Sequence, residues 1–205
     1  MTWQAGVNAQ DKPAEAAAPV ILVVGDSLSA EYGIRRGAGW VQWLKDNKKE
    51  ILGDAELVNA SISGDTTAGG RSRLPALLKR HQPTIVILEL GANDALRGLS
   101  LDASRDNLAN MIEQAKAQKA RVILIGMQIP PNFGPDYANQ FQAMFGTLAK
   151  EKDTALVPFL FASFALDRQM YQDDGIHPSE QAQPLMAETV WSVLEDVLTD
   201  YRQNR

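Results

Sequence analysis

Cysteine is absent from the 205-residue chain, which excludes disulfides, thiolate metal ligands and a cysteine nucleophile. Histidine is almost absent. His81 and His177 are the only two, so any chemistry that needs an imidazole base has two candidates. No apolar run approaches the roughly 18 residues that a spanning helix needs, so stable membrane insertion is not expected. Basic charge is not in excess either. The formal net charge is −5, the wrong sign for the basic face that nucleic-acid binders present.

What is present is ordinary for a globular chain: 45% hydrophobic and 22% charged residues, in a length that suits one domain. About 70% of the unfolded surface can be buried at this size, enough for one core without covalent staples. Residues 1–18 are polar and alanine-rich, without periodicity, and read as a loose N-terminal arm ahead of a domain over 19–205. Val7-Asn8-Ala9 has the small-residue spacing of a signal-peptidase site, although no apolar stretch precedes it. A trimmed export signal and an unrelated terminus are both compatible with it.

The domain alternates between two patterns. Apolar, β-rich runs occur at residues 20–24, 57–58, 84–90, 121–127 and 155–157. Helical spacing lies between them: 104–119 aligns Leu108, Met111, Ile112 and Ala115, and 185–201 aligns Met186, Val190, Val193, Leu194, Val197 and Tyr201. Strand–helix alternation along a whole chain implies a parallel sheet covered by helices on both faces. In such sheets ligands sit beyond the carboxyl ends of the strands, so the residues after each strand carry the interest.

After the first run comes Gly25-Asp26-Ser27-Leu28-Ser29. A serine there can project its hydroxyl into the crevice, or it can simply cap the following turn. It is not the elbow of α/β-hydrolases, since Ser29 stands where that motif needs glycine. After the second run, Gly64 permits close approach to a ligand, or merely makes a turn before a helix capped by Asp65 or Thr66. After the third run, Asn93 in Gly91-Ala92-Asn93-Asp94 can offer an amide to a developing oxyanion, or close an Asx-turn. Near the C-terminus, Asp174 precedes His177 by three residues, a spacing that lets one turn bring the carboxylate to imidazole Nδ1 and leave Nε2 as a base. A metal site is the rival for that pair, but ligands are scarce and none is expected.

In this order these segments resemble the SGNH (GDSL) hydrolase family, over essentially residues 20–200. The stretches 58–66, 90–94, 129–134 and 174–177 are similar to its bacterial multifunctional thioesterase I/protease I/lysophospholipase L1 (arylesterase) subgroup. The resemblance implies a flavodoxin-like α/β fold, a three-layer α/β/α sandwich whose five-stranded parallel sheet has the order 2-1-3-4-5. It implies a serine esterase and thioesterase acting on acyl esters such as aryl esters, acyl-CoA and lysophospholipids. Ser27, Asp174 and His177 would form the triad, and Ser27, Gly64 and Asn93 the oxyanion hole. It implies a periplasmic monomer that acts on small molecules without a cofactor, although the N-terminal arm departs from the subgroup and leaves periplasmic, secreted and cytoplasmic locations open.

The proline-stiffened segment 128–137 is expected to be a loop beside Ser27, with Ile129, Phe133 and Tyr137 walling an acyl pocket. The alternative wall is 95–99. Asp26, Asp65 and Asp94 read as turn and hydrogen-bonding residues, and His81 as a cation at a helix C-terminus. Two other readings stay open: a carbohydrate O-deacetylase of the same fold, and a non-catalytic flavodoxin-like module that binds phosphate or nucleotide.

Overall fold

The structure, a computed structural model, describes residues 18–204. Of the expected N-terminal arm, residues 1–17 lie outside the described residues. The five apolar runs become β1 (Val20–Gly25), β2 (Glu56–Asn59), β3 (Ile85–Glu89), β4 (Arg121–Ile125) and β5 (Ala155–Val157). They pair in parallel in the order β2-β1-β3-β4-β5, as the resemblance implies.

Parallel neighbours need crossovers, and helices supply them. They are α1 (Trp40–Asn47), α2 (Lys49–Leu52), α3 (Thr67–His81), α4 (Ala92–Leu96), α5 (Leu101–Ala117), α6 (Pro135–Glu151) and α7 (Gln183–Gln203). Helices α1 and α7 pack together on one face; α3, α5 and α6 pack in series on the other. The central strand β3 is therefore covered twice, and all five of its residues are buried. Four are aliphatic. The fifth is Glu89, whose burial needs a separate account.

Local sequence explains the helices. The Thr66 hydroxyl accepts the Gly69 N–H at 3.2 Å and starts α3, while Ser100 does the same for Ala103 at the head of α5. Helix α5 buries the expected face, Leu108, Met111, Ile112 and Ala115. On α7 the buried face is turned slightly from the expected one. Trp191 and Leu198 are inside, and Val193 and Val197 pack at its margin. The segment 128–137 is only partly a loop. Pro131–Phe133 forms a 3-10 turn and α6 begins at Pro135, because proline presets φ and needs no N–H at a first helical position. Tyr137 thus stands on the first turn of α6.

All five strands point their carboxyl ends at one edge, and two loops there meet closely at Gly126. A Cβ on Gly126 would lie 2.4 Å from the Pro158 carbonyl oxygen. The backbone also bonds there, Gly126 N–H to Val157 O at 2.8 Å and Leu160 N–H to Gly126 O at 3.1 Å. Gly126→Ala is expected to lower stability by about 1–3 kcal/mol through overpacking, read as an earlier urea midpoint at unchanged m-value.

Candidate active site

The turn after β1 is built by Asp26. Its backbone carbonyl accepts the N–H groups of Ser29 and Ala30, and its Oδ1 accepts Leu28 N–H at 3.1 Å. Ser27 is thereby held half-exposed at the tip, beyond the end of the strand.

The C-terminal residues arrive through a hairpin. Tyr171 bridges Pro178 antiparallel, and Gln172 N–H donates to His177 O at 2.8 Å. Inside it Asp174 Oδ1 accepts the N–H groups of Ile176 and His177, both at 2.9 Å. Asp174 Oδ2 lies 2.6 Å from His177 Nδ1, and His177 Nε2 lies 3.0 Å from Ser27 Oγ. Burial raises the Asp174 carboxyl, but those two N–H groups and the imidazole outweigh it, and the net direction is downward.

The loops after β2 and β3 complete the edge. Gly64 takes a φ of 78° that a side chain would strain. Its carbonyl accepts Arg97 Nη2 at 3.0 Å, which ties it to the C-terminus of α4. Asn93, on the first turn of α4, donates Nδ2 to Asp26 Oδ2 at 3.0 Å and so stands beside the serine turn. Ser27, His177 and Asp174 are thus in direct contact, with Asn93 one bond away. Gly64 is tied by Arg97 to the end of α4, four residues beyond Asn93.

The remaining expected residues divide. Ile129 is buried in the core, Phe133 is 39% exposed, and Tyr137 is half-buried with its hydroxyl donating to Leu99 O at 2.9 Å. The two candidate acyl walls, 128–137 and 95–99, therefore touch. His81 ends α3 just ahead of β3, at the sheet edge opposite Ser27. Asp94 accepts Thr67 N–H and the hydroxyls of Thr67 and Ser104; Asp65 pairs with Arg73 at 2.7 Å. Both make hydrogen bonds of the kind expected of them. Of the two expected caps of α3, Thr66 is the one used. Among the described residues no three of His, Asp and Glu come together as a metal cluster would require.

Sequence reasoning missed four participants. Tyr32 packs its ring 4.4 Å from the His177 imidazole. Gln172 donates its amide to Tyr32 O and Pro178 O at 2.9 and 3.0 Å, which fastens the histidine hairpin to the serine turn. Arg73 donates to the carbonyls of Gly25, at 3.2 Å, and Ala60. Glu89 is wholly buried beneath Asp26. Only Glu89 left a visible signal, as the one carboxylate inside an apolar strand run.

A serine, an imidazole and a carboxylate hydrogen-bonded in series at the carboxyl edge of a parallel sheet are the constellation of a serine hydrolase. The chain belongs to the GDSL-like Lipase/Acylhydrolase family, whose profile matches residues 23–184. It is 47% identical over 184 residues to Esterase TesA of Pseudomonas aeruginosa, covering 90% of this chain and 92% of that protein. It is 42% identical over 183 residues to the Escherichia coli Thioesterase 1/protease 1/lysophospholipase L1, covering 89% and 86%. The solved structure of a psychrotrophic esterase EstA from Pseudoalteromonas sp., inhibited by monoethylphosphonate, superposes with a TM-score of 0.83 at 37% identity, over 88% of this chain and 98% of that one.

Proposed function

We propose that the chain hydrolyses carboxylic esters and thioesters through an acyl-Ser27 intermediate. The observation that carries this is the unbroken line from Asp174 Oδ2 through His177 to Ser27 Oγ, at 2.6 and 3.0 Å. Ser27 Oγ attacks the acyl carbonyl as its proton passes to His177 Nε2. Asp174 holds the tautomer and faces the imidazolium that results. The Ser27 and Gly64 N–H groups and the Asn93 amide receive the oxyanion. His177 then protonates the departing alcohol or thiol. Water attacks the acyl-enzyme, again giving its proton to His177, and the released acid leaves Ser27 with its hydrogen restored.

The relatives' names point to thioesters, aryl esters and lysophospholipids as the substrates to try. A panel of acyl-CoAs, p-nitrophenyl esters of graded length and lysophospholipids, with fluorophosphonate labelling of Ser27, tests the reading. No labelling of Ser27 would overturn it. Monomeric behaviour and a periplasmic or secreted location belong to the same reading; size-exclusion chromatography and cell fractionation check them. Among the described residues no helix is long and apolar enough to cross a membrane.

The acyl chain lies along the segment 128–137, against Phe133 and Tyr137 and not against Ile129, which is buried in the core. Phe133 presents exposed apolar surface, and Tyr137 ties the segment to Leu99. Phe133→Ala is expected to lower kcat/KM for octanoyl esters about 10-fold more than for acetyl esters, the scale of one or two lost methylene contacts at about 0.8 kcal/mol each. Equal losses for the two esters would assign the segment a general supporting role instead.

A further inference from the structure

Two buried carboxyl groups lie directly beneath the site, and the reaction as written uses neither. Asp26 and Glu89 are both 0% exposed. Glu89 Oε2 accepts the Ser29 hydroxyl at 2.8 Å and Asp26 N–H at 3.3 Å, and its Oε1 is buried without a partner. An oxygen in that position is tolerable on a neutral acid and expensive on an anion. Complete burial, with the charge of Asp26 added, pushes Glu89 well above its ordinary value of 4.5. Asp26 turns its own Oδ2 toward Asn93 Nδ2, 3.0 Å away.

We propose that Asp26 is a positioning residue for the oxyanion hole, selecting which end of the Asn93 amide faces the acyl carbonyl, while Glu89 lies beneath it as a neutral acid. This rests on the assignment of Asn93 as an oxyanion donor. A primary amide has a donor end and an acceptor end of nearly equal size. Packing alone distinguishes them poorly; a carboxylate distinguishes them by sign. It accepts one N–H of the NH₂ group, repels the carbonyl oxygen, and leaves the second N–H for the oxyanion. Protonated Asp26 loses that preference, because a carboxylic acid can donate to the amide oxygen and hold the amide reversed.

The groups around Asp26 set when this occurs. Burial pushes its carboxyl from 3.8 up to about 6, against hydrogen bonds from Leu28 and Asn93 and the field of His177, and with Asp65 adding to the rise. Arg73 from α3 is bonded to Asp65 and to the Gly25 carbonyl. Activity and stability then respond oppositely to acid. Below about pH 6 the folded state takes up a proton that the unfolded state, titrating near 3.8, does not. Asp26 therefore adds stability as pH falls from about 6 towards 4, while the hole loses its donor.

The test is a double-mutant cycle on a p-nitrophenyl ester with Asp26→Asn and Asn93→Ala, reading kcat and KM separately. Asn93→Ala is expected to lower kcat about 10²–10³-fold, the usual cost of one oxyanion donor. Asp26→Asn, whose amide accepts or donates equally well, should lower kcat roughly 10-fold with KM unchanged. The double variant should be no slower than Asn93→Ala alone, as for residues acting through one contact. Losses that multiply would overturn the inference. A wild-type kcat in Asn93→Ala would instead remove the oxyanion assignment on which it stands. If Asp26→Asn fails to fold, the acid limb decides. Wild-type kcat should fall more steeply with acid than that of Asn93→Ala while circular dichroism stays native. Acid limbs of equal steepness count against it.

Discussion

Ser27→Ala is expected to lower kcat for every ester and thioester by a factor of about 10⁴ or more, the usual scale for removing a nucleophile. The fold should not respond. Ser27 is half-exposed, and the turn that carries it is made by the Asp26 carbonyl and carboxylate together with the backbone that follows. Losing the hydroxyl opens no core cavity, so the melting temperature should move by no more than a few degrees, within the roughly 0.5 kcal/mol typical of substitutions away from the core. Any turnover left would come from His177 as a base for water and from the oxyanion donors, neither of which forms an acyl-enzyme. A burst of p-nitrophenol should therefore vanish along with the steady-state rate. A variant that keeps more than a tenth of wild-type kcat would exclude Ser27 as the nucleophile.

The contact of Ser27, His177 and Asp174 was legible in the sequence for a reason the structure makes concrete. Asp174 and His177 are joined within one short turn, so spacing alone brings the carboxylate to the imidazole. Ser27 was legible because a parallel sheet gathers every strand's carboxyl end at one edge. The strands themselves were visible as apolar runs, since helices cover both faces. Their order was not. Segments as short and alike as Ile85–Glu89 and Arg121–Ile125 carry no mark of which neighbour they pair with, and that order came from resemblance.

What stayed hidden is non-local polar bonding. Glu89 meets Ser29 across 60 residues of chain, Asn93 meets Asp26 across 67, and Gln172 meets Tyr32 across 140. Glu89 is marked along the sequence only as a carboxylate in an apolar run, and the others look like ordinary turn residues; none of them names its partner. The extent of segment 128–137 was misjudged by a local rule instead. Its prolines read as loop-formers, whereas Pro135 opens a helix of 17 residues.

His177→Ala should cost about as much as Ser27→Ala, and His81→Ala almost nothing, although the two side chains are chemically identical. The difference is position. His81 closes α3 at the far edge of the sheet, while His177 stands 3.0 Å from Ser27 Oγ and 2.6 Å from Asp174. Asp174→Asn separates orientation from basicity. The asparagine can still accept the Ile176 and His177 N–H groups through its oxygen, so the hairpin should survive. Its NH₂ then faces Nδ1 and forces the proton onto Nε2, the tautomer that cannot take one from Ser27. A loss of about 10²–10⁴ in kcat is expected, by analogy with other Ser–His–Asp sites. Mild acid should leave Asp174 charged and facing the imidazole, because, despite burial, its carboxyl is held below its ordinary 3.8 by the Ile176 and His177 N–H groups and the imidazole. If His81→Ala and His177→Ala proved equally damaging, the base would have to be sought elsewhere; if Asp174→Asn were harmless, Gln172 and Tyr32 would have to orient the imidazole on their own.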